Sequence, residues 1–154
     1  MPDTTRLVVD VVKATPAPVQ AAFVRSVLLG AASIPEVAAR LPEEPSTIAV
    51  RITGDGELRR LNKTYAGHDA VTDVLSFAGS GEHLGDLAIS WETVARQAAE
   101  FKLPPRTELA LLCVHGLLHL LGWDHAVASE RKEMVRLTVA ALELSYLRVP
   151  AGRL

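Results

Sequence analysis

The chain has 154 residues, enough for one domain, which we expect to span residues 1–154, and its net charge of −2 is unlike that of a strongly basic nucleic-acid-binding domain. The single Cys113 excludes an internal disulfide bond and fits a reducing compartment, where we expect it to be a small core residue. The sequence shows no signal peptide and no apolar stretch long enough to span a bilayer, so we expect a cytoplasmic protein that does not bind membranes.

The beginning of the sequence predicts a strand, a helix and a linker. Apolar residues stand at every second position of residues 7–11, which is typical of a half-buried strand. Pro16 and Pro18 then open a helix in which apolar residues recur at four-residue spacing over residues 19–27. The run RLPEEPS, residues 40–46, is rich in proline and charge and therefore predicts a linker.

A second strand and helix follow, and the helix carries a basic cluster. Residues 48–53 alternate as a strand does, and Asp55 is placed to cap the next helix. Arg59, Arg60 and Lys63 lie together on that helix against few acidic residues. The cluster indicates either a local surface for a polyanion such as RNA or an ordinary solvated helix face.

Two further strands precede the C-terminal helices. Residues 72–77 (TDVLSF) and 84–90 (LGDLAIS) predict strands on either side of a glycine-containing loop. Ser90 is placed to cap a helix that runs towards Lys102, and a last amphipathic helix follows His125. Because strands and helices mix without strict alternation, we predict a single small α+β domain in which helices pack on a short mixed sheet.

The run HGLLHLLGWDH contains three histidines and is the most informative segment of the chain. His115 and His119 are four positions apart, so they project from one face of a helix, about 40° from each other. A continuous helix would carry His125 about 15 Å beyond His115, out of reach of the same ion. Gly122 favours a stop, since glycine readily takes the left-handed conformation that ends helices. The spacing therefore predicts that the chain turns back and brings three imidazoles to one metal ion.

The alternative is a set of ordinary core histidines. The surrounding helix is apolar nearly all round and is expected to be buried, where unpartnered imidazoles are costly, and this favours the metal. Three neutral imidazoles leave one position of a tetrahedral ion for water, as in catalytic zinc sites. Zinc is the favoured ion, although imidazole also binds nickel, copper and iron. Such an ion lowers the pKa of its bound water, and the hydroxide that forms attacks carbonyl or phosphorus centres.

A metallopeptidase is one functional interpretation. The histidines and the glycine have metzincin spacing, but that signature places a glutamate general base where Gly116 stands. A peptidase would need another carboxylate, and the candidates are Asp73, Asp86 and Asp124. Asp124 is equally suited to orienting an imidazole, and Asp73 to capping a turn.

Three segments, LNKTYAGHDAVTDVLSF, LGDLAIS and HGLLHLLGWDH, together resemble the YbeY family of bacterial rRNA maturation factors, from about residue 48 to the last helix. The resemblance implies a metal-dependent, single-strand-selective endoribonuclease that acts in small-subunit rRNA 3′-end maturation and in ribosome quality control. It implies His115, His119 and His125 as the metal ligands. It also implies rRNA and the small ribosomal subunit as partners, with a small-subunit ribosomal protein and a ribosome-associated GTPase as further candidates.

One position departs from the family pattern. The family has an arginine directly after the tyrosine of LNxxY, whereas Ala66 follows Tyr65 here. Phosphodiester cleavage builds negative charge that a positive group stabilises. We hypothesise that Lys63 supplies this charge, with Arg59 and His68 less favoured. The competing interpretation is a ribosome-assembly binding factor with little nuclease activity.

Two aspartates complete the catalytic predictions. Strand alternation points Asp86 away from Leu87 and Ile89, so it faces solvent or lines the site, and the resemblance favours the site. Asp86 or Asp124 would orient ligands or move protons. Trp123 is suited either to stacking on a base or to anchoring the turn.

Overall fold

A mixed sheet of four strands organises the protein, which the computed structural model describes for residues 6–154. The strands are β1 (Leu7–Lys13), β2 (Ser46–Thr53), β3 (Val74–Ala78) and β4 (His83–Ser90). Their order across the sheet is β1-β2-β4-β3, in which β1, β2 and β4 are parallel and β3 pairs antiparallel with β4 at one edge. The predicted α+β class with a short mixed sheet is confirmed, and each predicted strand is present.

Helices pack on both faces of the sheet. They are α1 (Ala21–Ala32), α2 (Pro35–Ala38), α3 (Asp55–Ala66), α4 (Trp91–Phe101), α5 (Pro105–Leu120) and α6 (Ala128–Leu144), and a 3-10 turn, Ala151–Arg153, ends the chain. α5 is central, because it contacts α1, α4 and α6 as well as β3 and β4. No helix within residues 6–154 has both the length and the apolar character needed to cross a membrane.

Strand alternation makes the two faces of the sheet different. Leu87 and Ile89 of β4 are fully buried on the face that α5 covers, where Leu87 packs against Gly116. Asp86 and Arg51 project from the opposite face, which α3 covers only in part, and both are exposed. Cys113 lies in the buried centre of α5, where burial raises the pKa of its thiol to about 12, so it is a core residue as expected.

The ends of two helices differ from the sequence predictions. Pro16 and Pro18 precede α1 rather than opening it, since the helix starts at Ala21. The residue that caps α3 is Gly54, and Asp55 is the first helical residue, so the prediction that Asp55 caps this helix was wrong. The prediction for α4 is confirmed, because the Ser90 hydroxyl accepts a hydrogen bond from the backbone N–H of Thr93 at 3.3 Å.

Tertiary contacts explain why Asp55 does not act as a cap. Its carboxylate accepts hydrogen bonds from the hydroxyls of Ser90 at 2.5 Å and Thr93 at 2.6 Å, and Arg96 lies 2.9 Å away. Burial raises the pKa of the Asp55 carboxyl, but the hydrogen bonds from Arg96, Ser90 and Thr93 outweigh it and lower the pKa to about 2. Asp55 therefore joins the start of α3 to α4.

Replacement of Asp55 by asparagine is expected to lower the free energy of unfolding by about 2 kcal/mol at pH 7. A carboxylate whose pKa is lowered in the folded state stabilises it above the unfolded pKa, and this contribution disappears as the pH falls through the folded pKa. The difference between wild type and Asp55→Asn should therefore fall by about half at pH 3. Urea unfolding at pH 7 and pH 3 measures both quantities. Asp10→Asn, at an exposed position of β1, is the control, and an equal loss there would contradict the assignment.

Candidate metal centre

The end of α5 positions three histidines. His115 and His119 lie in its last two turns, and the helix stops just before Gly122, whose N–H donates to the carbonyl of His119 at 3.0 Å. Gly122 has φ +98°, a left-handed conformation that residues with a side chain rarely adopt. The predicted helix stop at Gly122 is confirmed, and the chain beyond it returns His125 to the helix end.

The three rings converge on a single point. Nε2 of His119 lies 2.9 Å from Nε2 of His115 and 3.1 Å from Nδ1 of His125. One nitrogen from each ring lies within 4.8 Å of the others. Two nitrogens bound to one tetrahedral zinc ion at ~2.0–2.1 Å are about 3.3 Å apart. Small ring movements therefore suffice, and the three histidines can hold one metal ion.

The electrostatic environment favours the neutral forms of His115 and His119, and the neutral imidazole is the form that binds metal. Burial lowers the pKa of His115 to about 4, and the neighbouring rings of His119 and His125 add to this, while Asp73 opposes it. Burial also lowers the pKa of His119, followed by the effect of His125, and a hydrogen bond with the backbone of Trp123 opposes the shift. His115 and His119 can therefore bind a cation without first losing a proton at neutral pH.

An open cavity of about 590 Å³ gives access to the histidines. The other residues that line it come from the edge strand β3 and its approach, from α5 and from the C-terminus, namely Asp73, Val74, Leu75, Ser76, Ala78, Leu111, Leu112, Leu120 and Arg153. Asp73 is the carboxylate in this set. Its Oδ1 accepts from the N–H of Val74 at 2.7 Å and its Oδ2 from Nε2 of Gln97 at 3.2 Å. Asp73 thus caps the start of β3 and also faces the cavity.

The two aspartates predicted to be catalytic lie elsewhere. Asp86 projects from the face of β4 opposite α5, with its Oδ2 3.1 Å from Nε2 of His83. Asp124 is exposed in the turn, where its Oδ1 accepts from the N–H of Ala126 at 2.9 Å. Neither residue lines the histidine cavity. A catalytic role for either one stays a prediction: Asp86 lies on the far face of the sheet, whereas Asp124 directly precedes His125 and its charge opposes the lowering of the His119 pKa by burial.

The basic residues predicted to bind RNA are exposed on α3. Arg59 pairs with Asp69 at 2.7 Å, and Arg60 lies 3.9 Å from Glu57. Lys63 is on the last turn of the helix, next to the exposed Ala66. Because α3 covers the face of the sheet opposite α5, the structure does not bring Arg59, Arg60 or Lys63 into the cavity.

Arg153 and Glu108 were missed by the sequence reasoning. Glu108 is fully buried in α5, and Arg153 donates to it through Nε at 2.7 Å and Nη2 at 2.5 Å. A glutamate inside an apolar helix is a signal that a partner charge exists, because isolated buried carboxylates are costly. That signal does not identify a partner 45 residues away.

Trp123 anchors the turn and is not available to stack on a base. Its side chain is only 2% exposed, and the guanidinium of Arg40 lies 3.6 Å from the centre of its ring. Such a cation–π contact stabilises the indole in place. Of the two interpretations open from the sequence, the structure therefore supports the anchor.

Replacement of Gly122 by alanine is expected to lower stability by about 1–2 kcal/mol and to weaken metal binding. Space is not the reason, since the nearest atom to a Cβ there is 3.8 Å away, but φ +98° is strained for alanine. Relief of that strain would displace His125. Chelator competition and urea unfolding measure the two effects, with Gly56→Ala, in open space on α3, as control. Unchanged metal affinity in Gly122→Ala would show that this turn does not position His125.

Comparison with known proteins gives one consistent match. The sequence model of the family described as Endoribonuclease YbeY matches residues 19–145. A protein named endoribonuclease YbeY from Roseiflexus castenholzii is 51% identical over 92 residues, which are 53% of this chain and 58% of that protein. The protein of the same name from Chloroflexus aurantiacus is 46% identical over 112 residues, 65% of this chain and 73% of that protein. The match thus spans little more than half of the Roseiflexus protein.

The fold also has a counterpart among solved structures. The solution structure of TM1509 from Thermotoga maritima superposes with a TM-score of 0.62 and covers 90% of this chain and 92% of that one. The two sequences are 19% identical, so this likeness concerns the fold alone.

Proposed function

Because the chain belongs to the YbeY family, we propose that it is a metal-dependent endoribonuclease that cleaves single-stranded RNA. The observation that carries the proposal is the convergence of one nitrogen each from His115, His119 and His125 at an open cavity. Three protein ligands leave a coordination position free for chemistry, which distinguishes catalytic from structural zinc sites.

The residues of the cavity have separable roles in this proposal. A bound divalent ion, with zinc as the first candidate, would supply Lewis acidity for activating water and polarising a phosphate oxygen. His115, His119 and His125 would hold the ion in their neutral forms. Asp73 is the carboxylate placed to accept a proton, since two hydrogen-bond donors fix it at the cavity and leave lone pairs of both oxygens free.

The basic residues of α3 would bind the RNA backbone outside the cavity. β3 is one of the two edge strands of the sheet, with the cavity on one side and α3 on the other. A single strand that leaves the cavity over this edge would meet Arg59, Arg60 and Lys63. Phosphate contacts of this kind contribute affinity without sequence specificity.

Replacement of Lys63 by alanine is expected to weaken RNA binding about two- to threefold and to reduce the slope of log affinity against log salt by about 0.7, the value for one phosphate contact on a single strand. Cleavage at saturating RNA should stay near the wild-type rate, because Lys63 does not line the cavity. Lys13→Ala, an exposed lysine on the opposite edge strand, is the control. A large fall in the saturated rate would instead support the hypothesis that Lys63 supplies the catalytic charge.

The proposed substrate in the cell is precursor rRNA at the 3′ end of the small-subunit RNA, with a further part in ribosome quality control. The proposed partners are the small ribosomal subunit, one of its proteins and a ribosome-associated GTPase, in the cytoplasm. The proposed endoribonuclease domain spans residues 1–154.

A ribosome-assembly factor with little nuclease activity is the second candidate. The observation that favours it is Ala66, where the family pattern has an arginine. A metallopeptidase that uses the metzincin base is disfavoured, because Gly116 faces Leu87: a Cβ there would lie 2.6 Å from a Leu87 methyl carbon. A glutamate base at this position would point into the core and away from the cavity.

A cleavage assay separates these functions. Purified protein is incubated with zinc, manganese or magnesium and an end-labelled RNA in single-stranded or duplex form, beside a peptide library. We expect internal cleavage of the single strand only, with loss on chelation and in His115→Ala. RNA binding without cleavage at any metal would favour the assembly factor, and peptide cleavage would favour the peptidase.

A further inference from the structure

Arg153 lies at the boundary between two adjoining cavities. It lines the histidine cavity and also a second cavity of about 350 Å³, which shares His115, His125 and Leu111 with the first. The 3-10 turn Ala151–Arg153 places it there, beyond residue 145, where the family match ends. Among the residues that line the histidine cavity, Arg153 is the one permanent cation.

The guanidinium of Arg153 is held rigidly on one side. Its Nε and Nη2 donate to the two carboxylate oxygens of Glu108, and its Cζ lies 4.9 Å from the centre of the Phe101 ring. The ion pair is largely buried, with 15% of the Arg153 side chain exposed and none of Glu108. The hydrogen bond to Glu108 raises the pKa of Arg153 further, so it stays protonated.

The third nitrogen of the guanidinium remains available. Among residues 6–154, the side-chain hydrogen bonds of Arg153 use Nε and Nη2, and Nη1 has no protein acceptor. Within the described residues, Nη1 is not among the fully buried side-chain atoms that lack a partner, so it is open to solvent and can donate to an oxyanion that enters the cavity. A planar guanidinium fixed at one edge is well suited to donate from its other edge to a phosphate oxygen.

Glu108 belongs to a polar network that leads to the same cavity. Nε2 of Gln97 donates to Glu108 Oε2 at 2.9 Å and to Asp73 Oδ2 at 3.2 Å. The network thus connects Arg153 and Asp73, the cation and the carboxylate of the cavity wall, through two partly or fully buried side chains. The visible effect of the fully buried Glu108 is therefore to position Arg153.

We propose that Arg153 binds a phosphate of single-stranded RNA in the histidine cavity through Nη1, and that Glu108 is a positioning residue that holds the guanidinium for this contact. The proposal rests on the proposed nuclease function, which it makes more specific by naming the group that receives the phosphate. The structural alternative is that Arg153 only neutralises Glu108 and fixes the C-terminus.

The test compares a variant that removes both charges of the buried pair with variants that change only one of its two residues. Arg153→Gln/Glu108→Gln removes both charges without leaving an unpaired buried carboxylate, and Glu108→Gln alone retains the guanidinium. The probe is a short 2′-O-methyl single-stranded RNA, which resists cleavage, and binding is followed by fluorescence anisotropy over a range of salt, with and without zinc. Circular dichroism and thermal unfolding report whether each variant folds.

We expect Arg153→Gln/Glu108→Gln to fold and to bind the probe about tenfold more weakly, with a salt slope smaller by about 0.7. Glu108→Gln keeps the arginine charge and Nη1 but loses the carboxylate that holds the guanidinium, so its affinity should fall about threefold with a wild-type salt slope. Wild-type affinity in Glu108→Gln would remove the positioning role of Glu108. Arg153→Lys keeps the charge beside Glu108 but loses the planar fork, and its affinity should fall about threefold. This variant tests the proposal even where the double variant does not fold.

Wild-type affinity and salt slope in both the double variant and Arg153→Lys would overturn the proposal, as would a wild-type protein that does not bind the probe. The nuclease proposal is tested separately by cleavage. If wild type fails to cleave RNA while the double variant loses affinity as expected, the phosphate contact stands and the nuclease function falls. If wild type cleaves and all variants bind equally, the nuclease function stands and the role of Arg153 falls.

Discussion

Replacement of His119 by alanine is expected to lower zinc affinity more than about 100-fold and to abolish RNA cleavage, since loss of a direct ligand costs more than loss of its supporting partner. His119 is the central ring, with its Nε2 2.9 Å from His115 Nε2 and 3.1 Å from His125 Nδ1. Without His119, the rings of His115 and His125 remain, one before and one after the turn. These two ligands do not replace the third. Zinc competition with a chromophoric chelator and single-turnover cleavage measure the two losses.

His68→Ala is the matched control for this substitution. His68 is exposed in the loop after α3 and does not line the cavity, so zinc affinity and cleavage should both stay at wild-type levels. The metal-free His119→Ala protein should be at least as stable to urea as metal-free wild type, because a partly buried polar ring is removed from a crowded cluster. Stoichiometric zinc and normal cleavage in His119→Ala would contradict the assignment of the metal centre.

The histidine cluster could be predicted because its information is local. The spacing of His115 and His119 sets their common face on one helix, and Gly122 determines where that helix ends. The return of His125 follows from the same eleven-residue run, HGLLHLLGWDH. The element types along the chain were predictable for a similar reason, since each depends on a short periodic pattern.

The carboxylate of the site could not be assigned in the same way. Strand alternation correctly placed Asp86 opposite Leu87, but it does not say which face of the sheet receives the histidine helix. The packing of Gly116 on Leu87 decides this, and it leaves Asp86 on the far face. Asp73 reaches the cavity because β3 is an edge strand that begins beside α5, a fact of sheet order that the sequence pattern does not contain.

The contacts that were missed join residues far apart in sequence. Asp55 stands at a plausible cap position, yet Ser90 and Thr93 bind its carboxylate across the fold. The same applies to Arg153 and Glu108, whose pairing depends on where the C-terminus lies against α5. A single sequence reports the need for a partner at a buried charge and leaves the identity of that partner to tertiary packing.

Replacement of Gly85 by alanine is expected to destabilise the protein by about 2–4 kcal/mol and to disrupt the cavity. A Cβ at Gly85 would lie 2.5 Å from the carbonyl oxygen of Phe77 on β3 and 2.7 Å from a methyl carbon of Leu120. The leucine side chain can move, but the Phe77 oxygen belongs to the backbone of the paired strand. β3 therefore has to shift from β4, and β3 is the strand that supplies Val74 and Ser76 to the cavity wall.

Urea unfolding and hydrogen exchange of the β3 amides measure this effect, and Gly56→Ala provides the contrast. Nothing lies within 4 Å of a Cβ at Gly56, which is inside α3, so alanine there should stabilise the protein by about 0.5–1 kcal/mol. The two glycine substitutions thus have opposite signs, because a Cβ at Gly85 meets the backbone of β3, whereas one at Gly56 meets nothing and leaves only the lower backbone entropy of alanine. Loss of β3 protection in Gly85→Ala should be accompanied by weaker cleavage, while the histidine cluster at the end of α5 keeps its metal. Wild-type stability and β3 protection in Gly85→Ala would mean that the edge strand adapts freely, and Gly85 would then have no part in forming the cavity.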